Sequence, residues 1–155
     1  MREIGFYSVE GNMNSFLHSF FSQLVYKNGK KVLLYSSSTE KLKDLDRILW
    51  ENCGGADFLC HSIYSAKNSQ GRYEKLLLSS ESVNFNEADY LVMSTFIDKG
   101  EFLESFDKGF YLYAASNEES IERARSSRKR YDEFGYSTII YVKGDDGRWK
   151  TVDDM

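Results

Sequence analysis

Apolar and polar positions along the first fifty residues follow two alternating periods. Ile4 to Val9 (IGFYSV) is a short apolar run of the kind that forms a buried strand. Gly11-Asn12 breaks it. Met13, Phe16, Leu17, Phe20, Phe21, Leu24 and Val25 then recur at i, i+3, i+4 and i+7, which predicts an amphipathic helix stopped at Asn28-Gly29. Lys31 to Tyr35 (KVLLY) predicts the next strand. Ser37 and Glu40 have capping-box spacing, and Leu42, Leu45, Ile48 and Leu49 carry a second helical stripe to Trp50. The order β-α-β-α favours parallel strands joined by right-handed crossovers.

Farther along the signals are shorter. Phe58 to Cys60, Leu76 to Leu78, Tyr90 to Met93 and Phe110 to Ala114 predict strands, and Ser62 to Tyr73 predicts a polar surface loop. Glu101 to Phe106 predicts a short helix. Ser116 and Glu119 again have capping-box spacing and open a long helix to about Phe134, with Gly135 as its stop. Thr138 to Val142 predicts a strand that turns back at Asp146-Gly147 as a hairpin. With no repeat, linker or low-complexity stretch, residues 1–155 are expected to form one α/β domain, with 137–155 as a strand and hairpin extension.

Composition sharpens this picture in one place. The net charge is −4, yet Arg123, Arg125, Arg128, Lys129 and Arg130 put +5 into eight residues of the long C-terminal helix. The remainder of the chain is strongly acidic, which argues against a protein that binds duplex DNA with its whole surface. Two cysteines cannot make a secreted disulfide scaffold, and no signal-peptide core or apolar run near 18 residues is visible. A cytoplasmic protein without membrane contact is expected.

Most candidate chemistry fails on spacing. The first strand-to-helix turn reads VEGNMNSF, with one glycine and neither GxGxxG nor GxxxxGK[ST], so it lacks the glycines and lysine that let a backbone cradle phosphate. Cys53, Cys60, His61 and His18 match no common zinc spacing, and read more simply as buried thiols and a loop histidine. The carboxylates are scattered. No catalytic residue, metal site or cofactor is expected, although Cys60 and His61 are the least poor candidates for an unrecognised α/β enzyme.

The basic helix remains. On a helical wheel Ile121, Ala124, Tyr131 and Phe134 share the apolar side. Arg125 and Lys129 are i, i+4 neighbours with Arg128 beside them at the edge of that side, whereas Arg123 and Arg130 face solvent. Cations alternating with rings suit an acidic peptide with a hydrophobic tip, or a single strand of nucleic acid; a solvated charged face is the plain structural alternative.

Several segments, taken together and in order, resemble the chi subunit family of bacterial DNA polymerase III. They are GFYSV, KNGKKVLLYS, LDRILWE (the family's LD-x-x-LW), DFLCHS (its F-x-PH) and ARSSRKRYDEFGYS (its AR-x-R-(x)3-Y-(x)3-G-F/Y), spanning roughly residues 4 to 142. The resemblance implies a three-layer α/β/α, Rossmann-like domain with a mostly parallel sheet and no working P-loop. It also implies a non-catalytic accessory subunit of the clamp-loader complex, associated with DNA indirectly and, as is usual in the family, paired with the psi subunit where one is present. Its other partner would be the acidic, hydrophobic-tipped C-terminal tail of single-stranded DNA-binding protein. Carried over by motif, Arg125, Lys129 and Tyr131 bind that tail and Gly135 stops the helix; Arg128 is added for its charge and wheel position. Trp50, Phe58 and Leu59 are the candidates for a psi-facing surface, with plain core packing as the structural alternative. Three departures stand out: Cys60 replaces the motif's proline, Ile121 stands where the family often has a cation, and GDDGRWKTVDDM extends past the usual end.

Overall fold

The computed structural model describes residues 1–51, 61–65 and 69–155. In chain order the elements are β1 (Glu3–Val9), α1 (Met13–Ser22) continued by a π turn (Gln23–Lys27), β2 (Val32–Tyr35), α2 (Thr39–Glu51), β3 (Ser62–Ile63) and a 3-10 turn (Ser69–Tyr73). Then follow β4 (Leu76–Ser79), β5 (Tyr90–Met93), α3 (Gly100–Glu104), β6 (Lys108–Ala114), α4 (Glu118–Glu133), β7 (Ser137–Lys143) and β8 (Trp149–Val152).

Among the described residues the strands form one eight-stranded sheet in the order β3-β4-β2-β5-β6-β1-β7-β8. β1 to β7 run parallel, and β8 pairs antiparallel with β7. Side chains alternate between the sheet's two faces, so each strand feeds two cores. Tyr7, Val32, Leu34, Phe110 and Leu112 join Leu17, Phe20 and Phe21 of α1 and Leu42 and Leu49 of α2 on one face. Ile4, Phe6, Leu33, Tyr111 and Tyr113 join Phe102 and Leu103 of α3 and Ala124 and Tyr131 of α4 on the other. Helices on both faces of a mostly parallel sheet make the three-layer α/β/α arrangement that the β-α-β-α pattern anticipates. Gly5 sits in the middle of β1 because the Tyr7 and Tyr141 rings stack 4.7 Å apart over it, and an added Cβ would lie 2.6 Å from the Tyr7 ring.

Some expectations need correction. Residues 62–73 are not wholly loop: Ser62–Ile63 adds an edge strand to β4, and Ser69–Tyr73 makes a 3-10 turn. Both helix starts shift by one residue. β2 ends at Tyr35 and Ser36 N–H bonds to Ser79 O, so Ser38 rather than Ser37 caps α2, its hydroxyl accepting from Lys41 N–H at 3.2 Å. Asn117 rather than Ser116 caps α4, accepting from Ser120 N–H at 3.1 Å. Phe134 is 59% exposed at the C-terminal end of α4, off the core side assigned to it. The expected strand Phe58–Cys60, along with Cys53, lies outside the described residues.

Candidate functional site

α4 is built to stay helical under a heavy positive load. Glu118 and Glu119 lie in its first turn and Arg130 in its last, the arrangement favoured by the helix dipole. Gly135, at φ +91°, takes the left-handed conformation that ends it. Ala124, Ser127 and Tyr131 are its buried face. Ser127 escaped the apolar-period reading because it is polar, yet its hydroxyl reaches the Tyr111 phenol at 3.2 Å and is thereby satisfied within the core.

Tyr131 corrects the sequence reading most clearly. It is 0% exposed; its hydroxyl accepts from Ile97 N–H at 3.0 Å and lies 3.5 Å from the Met93 sulfur. Burial pushes this phenol well above its usual value. A ring held so deeply supports α4 from beneath and cannot flank a bound side chain, so Tyr131 leaves the candidate site.

The cations divide by partner. The Arg125 guanidinium donates to Glu122 at 2.7 Å and, through its other terminal nitrogen, to the main-chain oxygen of Met155. Half-buried Arg128 donates from Nε to the Thr138 hydroxyl at 3.0 Å and from Nη1 to the main-chain oxygen of Asp153 at 3.3 Å. Arg125 and Arg128 therefore converge on one short segment after β8. Lys129 is exposed one turn along from Arg125. Arg130 is not simply solvated, since its guanidinium lies 3.6 Å from the Phe96 ring centroid. Arg123 is exposed toward Lys41, which burial and that arginine's charge hold below the usual lysine value.

Other sequence candidates among the described residues have partners within the fold. At the first strand-to-helix turn the Asn12 side chain accepts from Asn14 N–H at 2.9 Å and Ser15 N–H at 3.3 Å, using the donors a phosphate would need. Among the described residues no cluster of His, Cys, Asp and Glu could hold a metal ion. His61 lies just before β3, outside helix and strand, and is buried: its Nε2 lies 3.1 Å from Asp46 Oδ1, the oxygen that also accepts from the Trp50 indole N–H at 3.1 Å. Trp50 itself is 44% exposed, while Phe58 and Leu59 lie outside the described residues. A groove of about 770 Å³ opens on the opposite face of the sheet between α1 and the β7–β8 hairpin. Lys108, one of the cations lining it, lies 3.2 Å from Glu3 and over the rings of Tyr7, Phe110 and Tyr141.

The family model for the DNA polymerase III chi subunit, HolC, matches residues 1–138. The chain belongs to the DNA polymerase III chi subunit family. It is thereby a polymerase III subunit of the DNA replication machinery. In this chain Asp46 of the LD-x-x-LW motif accepts from the Trp50 indole of the same motif and lies 3.1 Å from Nε2 of His61, the histidine of F-x-x-H. The chi match stops early in β7, so the rest of the hairpin and the segment that meets Arg125 and Arg128 lie outside it. No curated protein matches the chain. No described helix is long and apolar enough to cross a membrane.

Proposed function

We propose that the protein is a non-catalytic adaptor of the clamp-loader complex that holds polymerase III to DNA coated by single-stranded DNA-binding protein. It does so by binding that protein's acidic C-terminal tail on the outer face of α4. Arg125 and Lys129 take the tail's carboxylates by charge-assisted hydrogen bonds, and Arg128 fixes its main chain. The observation that carries this reading is the pair of guanidiniums, Arg125 and Arg128, that already donate to main-chain oxygens of an acidic segment, Asp153 to Met155. The tail's hydrophobic tip would rest near Ile121 and Tyr136, half-buried residues at the margin of the core beneath α4. A second contact, with the psi subunit, is placed at the exposed edge of Trp50.

Solvent-exposed ion pairs contribute about 0.2–1 kcal/mol each, so the charged part of the binding should be modest and fall with salt. The test is a fluorescence-anisotropy titration of a labelled copy of the cognate tail. Arg125→Ala is expected to weaken binding about two- to fivefold at low salt. Affinity that ignores both the substitution and the salt would overturn the reading. Tighter binding to a bare oligonucleotide than to the peptide would instead favour direct contact with single-stranded nucleic acid.

A further inference from the structure

β8 ends at Val152, which pairs with Ile140 on the α4 side of the sheet. The next three residues do not continue along the sheet edge; they turn back over α4. Arg128 holds the main chain at Asp153, Arg125 holds it at Met155, and the Asp154 carboxylate accepts from Met155 N–H at 2.8 Å. The Met155 side chain is half-buried against the same core that receives Ile121, Tyr136 and Val152. Asp153 and Asp154 remain exposed. In chemical terms two aspartates are followed by an apolar side chain that inserts, with the backbone clamped by two guanidiniums.

That is the chemistry proposed for the partner tail. We infer that residues 153–155 are an internal occupant of the α4 face, and that an acidic partner peptide binds only by displacing them. The inference rests on the reading of α4 as the tail-binding face and adds a regulatory layer to it. The hold is weak by construction. Two surface hydrogen bonds from guanidiniums, one of them shared with Glu122, and one partly buried methionine make a clasp that opens readily. Its strength comes from the tether, which keeps the segment at an effective concentration on the order of millimolar beside the site. A segment bound about nine-tenths of the time leaves the site open to a partner one-tenth of the time. It then raises the partner's apparent dissociation constant about tenfold.

The experiment compares the full chain, a chain shortened after Val152, and full-length Met155→Asp, which keeps the length and opposes insertion. Because β8 ends at Val152, shortening leaves its pairing with β7 intact, and circular dichroism checks this. The labelled tail peptide of the cognate single-stranded DNA-binding protein should bind both variants about tenfold more tightly than the full chain. Arg125→Ala placed in the shortened chain should weaken binding of the peptide about two- to fivefold. Equal affinity for full and shortened chains overturns the inference and leaves the proposed function standing. A second probe, a peptide copying Lys150 to Met155 titrated to millimolar into the shortened chain, separates the two failures. If the partner peptide binds no form, the proposed function falls. Occupancy of α4 by 153–155 then stands if the second peptide shifts the Arg125 and Arg128 side-chain NMR signals, and falls if it does not.

Discussion

Tyr131 shares a helix with five cations and never meets solvent. The helical wheel places it correctly on the apolar side, but periodicity cannot tell a residue that lines a site from one that lies beneath it. Its hydroxyl is the acceptor for Ile97 N–H, so Tyr131→Phe leaves a buried donor unpaired and is expected to destabilise the fold by about 1–3 kcal/mol. Urea unfolding measures the loss. Tail-peptide affinity of the folded variant should be unchanged, whereas a residue lining the site would lower both. Arg128 was legible only in part: its charge and wheel position were visible, but the Thr138 and Asp153 partners come from elements distant in sequence. Nothing in the spacing announces that a segment after β8 returns to α4.

Helices and strands with long, clean periods read well, and those that depend on tertiary pairing did not. α1, α2, α4 and the parallel strands follow from their apolar stripes. The two-residue β3 is too short to carry a period and exists because β4 offers it an edge. Caps were misplaced by one residue because runs such as Ser36-Ser37-Ser38 and Ser116-Asn117 offer several good capping residues, and the end of the preceding strand selects among them. Asn117→Ala should therefore cost about 1 kcal/mol of stability, with Ser116→Ala close to neutral. Thermal denaturation of the two variants side by side decides the register. Were α4 to start one residue earlier, the two costs would be reversed.

On the scale of the whole molecule, phenols stand inside both cores. Tyr7 on the α1 side and Tyr131 on the α4 side are each held, chiefly by burial, well above the ordinary tyrosine value of 10.0. The neutral form is the one the fold accommodates, so their contribution is complete below the ordinary value. As pH climbs from there toward the raised values, the unfolded chain ionises and the folded chain does not, and stability falls by about 1.4 kcal/mol per pH unit for each such tyrosine. An alkaline titration should show these phenols silent until circular dichroism collapses, then ionising together with it. Smooth ionisation of every tyrosine ahead of unfolding would contradict the burial of both. The same sheet also fixes the timing of assembly. β1 leaves the ribosome first, yet it sits between β6 and β7, with Glu3 in register with Lys108 and Ser137. Both of its hydrogen-bonding edges stay bare until most of the chain has been synthesised, so closure of this half of the sheet is late and limited by long loops. A nascent chain arrested before Lys108 carries an apolar strand with neither of its neighbours made, and protection of the β1 amides waits for β6 and β7 to emerge.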